Sequence, residues 1–431
     1  MSGESTRDVR TGTPDAPVPA APPLSSVGIL RSGPYLILYL NAAVVILGVM
    51  AQSIARSWLA FQLTGSNAAL GGVLLAFGVA MIIATPWGGV AADRLPKRLV
   101  LQTSVALLAV SSFWIGIAVA VGFIQYWMLL GASVLQAIGF ALFNPARMAF
   151  LAEILPREAV PRGVSLLLVN AEVNRVVGPA VAGLVIGTVS SGTALVFLTS
   201  GVLSTLGGLL TMRLPPGLQT DPSDRSPLGE LIDGLAYVRR RKDISGLLLC
   251  GIGVTMVGLP YLAFLPSVAS DLFGLGSAGY GVLSAVSAVG AVVTGLLLGR
   301  RTARAHEVRV FVVSAVVFGL ALVGLAVAPV FLVAVVALFV VGGAMLAFQT
   351  TNQSLLLALS DMEYHGRIQG LVMLSFGAFG IAALPLGLLA DEVGLRWTLA
   401  GMGVAVVATV GLFAVRTRRR IAAGSRLRDL G

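Results

Sequence analysis

Twelve stretches of this chain stay apolar for about twenty residues or more, and only short polar loops separate them. A bilayer core of about 30 Å is crossed by roughly 20 residues of helix at 1.5 Å per residue. Inside lipid every backbone N–H and C=O must be satisfied within the protein, which excludes open strands and bare loops. The chain is therefore expected to be an all-α membrane protein with twelve transmembrane helices. The expected limits are 35–63, 68–92, 99–121, 126–148, 162–189, 194–212, 244–270, 278–298, 308–328, 331–359, 367–391 and 396–415. Of the residues, 57% are hydrophobic and 11% are charged, too few charges for a soluble surface on a chain of 431 residues.

Charge placement orients the spans. Lys and Arg concentrate in the tails and the even-numbered loops: 94–98, Arg157 and Arg162, 239–242, 300–309, Arg367 and 416–428. The intervening loops 64–67 and 122–125 carry none, so both termini are expected on the cytoplasmic side of a cell membrane. The net charge of +10 is dispersed among these loops, which argues against nucleic acid as a partner. Lysine occurs only at Lys97 and Lys242 while arginine is abundant, a bias that points to a GC-rich bacterial genome. The single Cys250 excludes an intrachain disulfide, and His306 and His365 are too isolated for a metal cluster.

Residues 1–34 are rich in Ser, Thr, Pro, Ala and Gly and lack the apolar core of a signal peptide, so a disordered cytoplasmic tail is expected, with a basic tail at 417–431. The longest polar interruption, 214–243, contains Pro215, Pro216, Pro222 and Pro227. Leu228, Leu231, Ile232, Leu235 and Val238 then follow helical spacing, ahead of the run Arg239 to Lys242. This predicts an amphipathic helix on the inner leaflet, with Ser226 as N-cap and Pro227 in first position. It would join two pseudo-symmetric six-helix bundles, 35–213 and 244–416. An internal repeat supports that division. Trp58-Leu59-Ala60-Phe61 recurs as Tyr261-Leu262-Ala263-Phe264, and Phe143, Glu158 and Arg162 recur at one offset as Phe348, Glu363 and Arg367.

Between the second and third spans, Gly88-Gly89-Val90-Ala91-Ala92-Asp93-Arg94-Leu95-Pro96-Lys97-Arg98 reverses the chain in a short charged hairpin. Gly89, Ala92, Asp93, Arg94, Lys97 and Arg98 resemble the signature loop of major facilitator superfamily transporters, with Pro96 where that family usually has glycine. Gly295 to Arg301 keeps the glycines and cations of this loop but has arginine in place of the aspartate. The resemblance implies alternating access, with the loop as a cytoplasmic latch. Asp93 would lie near the start of span eleven, around Gly366 and Arg367, where the helix dipole favours its charge, and Glu153 would be the partner of Arg94. Plain positive-inside topology is the alternative reading of the loop.

Span five carries Asn170, Glu172, Asn174 and Arg175. Glu172 lies about ten residues, or roughly 15 Å, from the inner end, where charge is costly. Glu172 and Arg175 share a face and can pair. Three roles stay open: an ion pair locking span five to a neighbour, a carboxylate that carries the coupled proton, or a contact to substrate. Gly178, Pro179 and Gly183 resemble the helix-five motif of the antiporters in this superfamily, although simple close packing explains the same residues. Gln62 to Ser66, Asn144-Pro145-Ala146-Arg147, Glu153, Pro156, Arg157, Glu158 and Arg162 resemble the enterobactin-exporter-like and multidrug-efflux branch.

The family resemblance implies a substrate cavity lined by spans one, four, seven and ten. The residues these spans offer are Asn41 and Gln52; Gln136, Phe140, Phe143 and Arg147; Met256 and Tyr261; and Met345, Phe348, Gln349, Asn352 and Gln353, with plain packing as the alternative role for each. A large apolar area with a few amides suits an amphipathic or hydrophobic compound. Arg56 is expected either to snorkel to the outer interface or to gate it, and Trp58, Trp127 and Trp397 to mark an aromatic belt. The expected activity is proton-coupled export of a small molecule, with uptake or facilitated flux of a metabolite as the alternative and a non-transporting membrane receptor or enzyme as a third reading. The expected partners are that substrate, protons and the bilayer, in a monomer. No Gly-rich nucleotide loop or catalytic dyad suggests an enzyme or a cofactor.

Overall fold

A computed structural model describes residues 26–156, 158–215, 227–299, 307–361 and 364–422. Among these residues there is no strand, and twelve helical segments are long and apolar enough to cross a membrane. Spans one to six are Gly33–Thr64, Asn67–Arg94, Lys97–Val121, Tyr126–Ile154, Val160–Thr188 and Gly192–Thr211. Span seven is Lys242–Gly258, continued by Tyr261–Ser267 and a π turn, Val268–Leu272. Spans eight to twelve are Ser277–Gly299, Glu307–Ala326, Phe331–Leu359, His365–Glu392 and Leu395–Ala422.

The turns are set by local chemistry. Gly65 stops span one in the left-handed region at φ 63°, its N–H bonded to Phe61 O at 2.7 Å. Ser66 then caps span two by accepting from the N–H of Ala69 at 3.3 Å. Span seven is not the continuous helix that its apolar run predicts: Pro260 supplies no N–H, and the helix restarts at Tyr261. At the amino end, a short helix Ser26–Leu30 with a fully buried Ile29 corrects the expectation of tail up to residue 34. At the carboxyl end, helix replaces the expected tail as far as Ala422. Ser226 lies outside the described residues, as do Arg157, residues 300–306 and Glu363.

Two six-helix bundles repeat one pattern of neighbours. In the first, span one packs on five and six, two on four, and three on four and six. In the second, span seven packs on eleven and twelve, eight on ten, and nine on ten and twelve. Phe143 and Phe348, equivalent in the repeat, are both buried.

The bundles meet along two seams, span two against eleven and span five against eight. The glycines show where along the membrane normal each seam is tight. At Gly71 a Cβ would collide with the Ala383 carbonyl, at Gly78 with that of Gly377, and at Gly387 with that of Asn67. In the other seam, a Cβ on Gly281 would collide with the Gly183 carbonyl, and one on Gly187 would lie 3.1 Å from Ala278 Cα. All these contacts fall in the half of the protein away from Arg94, Lys97 and Arg98. In the half that carries this basic face, the nearest described atoms to a Cβ at Gly88, Gly163, Gly251 or Gly295 belong to the same bundle, and among the described residues Gly89 and Gly370 meet nothing within 4 Å. Among the described residues, the glycine contacts between the bundles thus lie at the face away from the basic loops.

The linker helix, Pro227–Arg240, leans on span eleven. Tyr237 stacks on Tyr364 with ring centroids 3.9 Å apart and donates to Asp361 at 3.0 Å. Partial burial pushes the Tyr237 phenol above its ordinary pKa. Arg241 donates to the Leu359 carbonyl at 3.0 Å, while Ile232 and Leu235 stay exposed on the helix surface.

Candidate functional site

At the basic face the ion pair differs from the expected one. Lys97 donates to Glu153 at 2.9 Å, with the two side chains 8% and 17% exposed, whereas Arg94 is exposed. Lys97 begins span three beside the last turn of span four, where Glu153 projects, so the shorter path belongs to lysine. Arg98 donates to the Leu214 carbonyl at 3.2 Å, just past the end of span six. Among the described residues, nothing lies within 4 Å of a Cβ built at Gly89. The Arg367 guanidinium lies over the Tyr364 ring at 4.9 Å. The Asp93 side chain, and with it the expected approach to span eleven, lies outside the described residues.

In span five, Glu172 and Arg175 pair at 3.6 Å, and Arg175 also donates to Gln349 of span ten at 2.9 Å. That second bond crosses between the bundles. Both charged side chains are more than 40% exposed, so they face open space at the seam and not packed protein. Asn170 and Asn174 face the other way: Asn170 donates to the Tyr39 carbonyl of span one at 3.2 Å, and Asn174 donates to Asn170. The glycines of the helix-five motif divide their work. A Cβ at Gly178 would press on Met50 and Ala51 of span one, inside the bundle, while Gly183 closes on Gly281 across the seam. Pro179 lies within span five, where its missing N–H removes one rung of the helix ladder.

The cavity expected from spans one, four, seven and ten is only partly assembled from the chosen residues. Asn41 donates to the Gly207 carbonyl of span six at 2.8 Å, and Gln52 to Ser112 of span three at 2.8 Å; both are fully buried within one bundle. Gln136 accepts a short hydrogen bond from Arg56, which also reaches Gln52 at 3.5 Å. Arg56 therefore does not snorkel; it is 5% exposed, held by two neutral amides. Arg147, buried as well, lies over Phe143 and donates to Asn144 at 3.1 Å. Tyr261 bonds Ser287 of span eight at 3.2 Å, Phe348 stacks on Phe311, and Met345 is buried beside them. Phe140, Met256, Gln349, Asn352 and Gln353 keep partial exposure. Trp127 and Trp397 are exposed as a belt requires, but Trp58 is buried and stacked on Tyr280 at 5.4 Å. An apolar groove of about 990 Å³ runs between spans two and four, from Ala68 and Tyr126 to Trp87 and Leu142. The Tyr126 hydroxyl at its rim already donates to the Ala69 carbonyl, at 2.9 Å.

One group was missed by the sequence reading. Asp391, in the last turn of span eleven, accepts from Ser66 Oγ at 2.6 Å, Asn67 N at 2.8 Å, Asn67 Nδ2 at 2.9 Å and Ala68 N at 2.9 Å. It thereby caps the first turn of span two, which belongs to the other bundle.

Residues 24–425 match the family described as transmembrane secretion effectors. The chain belongs to this family of major facilitator transporters. Among curated relatives, the Staphylococcus aureus staphyloferrin A transporter is 22% identical, over 86% of this chain and 94% of its own length. Macrolide efflux protein A of Streptococcus pyogenes is 23% identical, over 72% and 78%. The multidrug efflux pump Tap of Mycobacterium bovis is 25% identical, over 89% and 93%. A crystal structure of a peptide transporter with alafosfalin superposes with a TM-score of 0.70 at 12% identity, over 92% of this chain and 98% of that one. A bacterial homologue of the lysosomal transporter Spinster gives 0.67 at 18%, over 89% and 95%. These two support the fold. As a transmembrane secretion effector, the protein is a multi-pass membrane transporter.

Proposed function

We propose that this transporter exports a hydrophobic or amphipathic small molecule in exchange for protons, by alternating access. The basic face is cytoplasmic, because the cationic loops concentrate there. The bundles, 35–213 and 244–416 with the linker between, rock about the seam. On this orientation the tight glycine contacts between the bundles lie on the extracellular side, which fits a state open to the cytoplasm that loads an exporter. The names of the curated relatives, which include a siderophore transporter and drug efflux proteins, favour export of amphipathic cargo.

The observation that carries the reading is the Glu172–Arg175–Gln349 contact, a carboxylate and a cation exposed at the seam with one hydrogen bond joining the bundles. Protonation of Glu172 would release Arg175, and the bond to Gln349 would make the bundle arrangement depend on that release. Substrate would meet Phe140, Met256, Gln349 and Asn352, the partly exposed members of the expected lining. Gly89, Asp93, Arg94, Lys97, Arg98, Glu153 and Arg367 would form the closed cytoplasmic face, with Asp93 toward the start of span eleven. Gly178, Pro179 and Gly183 would shape span five for both packings.

The test is dye and siderophore transport in everted membrane vesicles energised by a proton gradient. Gradient-dependent uptake into those vesicles, lost in Glu172→Gln, is the expected result. Unchanged gradient dependence removes Glu172 from coupling, and gradient-independent flux favours facilitated transport.

A further inference from the structure

The family's signature loop has a counterpart at the opposite face, in the same pair of helices. Span two ends Gly89-Val90-Ala91-Ala92-Asp93, and Arg98 follows five residues after the aspartate. Span eleven ends Gly387-Leu388-Leu389-Ala390-Asp391, and Arg396 follows at the same distance. The two helices run antiparallel against each other, so these motifs sit at opposite ends of one seam. Their arginines do the same work. Arg98 donates to the Leu214 carbonyl beyond span six, and Arg396 to the Ala326 and Ala328 carbonyls at the end of span nine, at 2.9 and 3.0 Å. Each arginine, in the first turn of its helix, thus ties that helix to the carboxyl end of a neighbour in its own bundle.

The geometry points to Asp391 as a latch that holds the extracellular face shut, released when the transporter turns outward. A helix begins with N–H groups that have no intrahelical acceptor, and its dipole adds partial positive charge there. Asp391 satisfies the N–H groups of Asn67 and Ala68 with both carboxylate oxygens, and takes the Ser66 hydroxyl and the Asn67 amide as well. The carboxylate belongs to one bundle and every donor to the other, so the bonds exist only while this end of the seam is closed. Gly387 allows the approach: a Cβ there would overlap the Asn67 carbonyl. The inference rests on the alternating-access reading and adds the element that stabilises one end state.

The experiment measures opening of the extracellular face. Ser284, buried in the span five to eight seam beside Gly183, is changed to cysteine in a Cys250→Ala background. Intact cells are treated with a membrane-impermeant maleimide, with labelling normalised to membrane-inserted protein. Gly71→Leu, whose side chain cannot fit against Ala383, is the reference for a forced opening. Asp391→Asn places an amide N–H against backbone donors, and should raise the labelling rate at least five-fold. Ser66→Ala, which removes one of the four bonds, should raise it less. If Gly71→Leu raises labelling and Asp391→Asn stays within two-fold of its parent, the latch is overturned while alternating access stands. If neither raises it, the extracellular face does not open along these seams, and the transport reading falls together with the latch.

Discussion

Lys97 and Glu153 form an ion pair at 2.9 Å in which both side chains are largely shielded from water. Removing one partner of such a pair leaves the other charge without compensation, which costs about 3–5 kcal/mol. Lys97→Met should therefore lower the melting temperature of the detergent-purified protein markedly. Arg94→Ala, at an exposed position, should leave it unchanged while altering transport. Equal melting curves for Lys97→Met and the parent would mean that the pair is open in the purified protein.

Glu172 and Arg175 call for the opposite outcome. Their side chains are 46% and 42% exposed, and exposed pairs contribute roughly 0–1 kcal/mol to stability. Glu172→Gln should fold and melt like the parent yet lose gradient-driven export, and Gln349→Ala should weaken export through loss of the inter-bundle bond. A large fall in melting temperature for Glu172→Gln would assign the carboxylate to structure instead.

The seam glycines give a sharper contrast. Gly281→Val would push a side chain into the Gly183 carbonyl, whereas Gly401 and Gly411 have nothing within 4 Å of an added Cβ. Export by Gly281→Val should fall at least tenfold with insertion retained, because overpacking costs typically about 1–3 kcal/mol in the closed arrangement alone. Gly401→Ala and Gly411→Ala should transport normally. Normal export by Gly281→Val would mean that this contact is not part of the cycle.

Much of this arrangement is written in the sequence at the level of helices. The spans are legible because an apolar run long enough to cross lipid is a strong signal, and span ten falls at 331–359 as expected. The neighbour of each polar face is not legible. Periodicity puts Gln52 and Arg56 on one side of span one, but only packing shows that this side meets Ser112 and Gln136 inside the bundle. Asp391 was hidden for a different reason. The two-bundle repeat compares span two with span eight, where the copied loop has lost its aspartate. The matching aspartate stands in span eleven, related to span two by antiparallel packing and not by the repeat.

Arg56 supplies the last prediction, because its burial has two opposing consequences. The guanidinium is 5% exposed, and its hydrogen bonds go to neutral oxygens, those of Gln136 and Gln52. Burying a charge carries a desolvation penalty of several kcal/mol, so its removal alone should relieve the bundle. Arg56→Met, however, strands two buried amide oxygens, at about 1–3 kcal/mol for each unsatisfied group. The single variant should therefore melt near or below the parent, and Gln136→Leu below it, since that change leaves the cation with fewer acceptors. Combining them removes the charge and one stranded amide together, so the double variant should be more stable than the two single losses predict, by about 1–3 kcal/mol. Strict additivity in the thermal unfolding of the four proteins would show that Arg56 finds its compensation elsewhere than at Gln136.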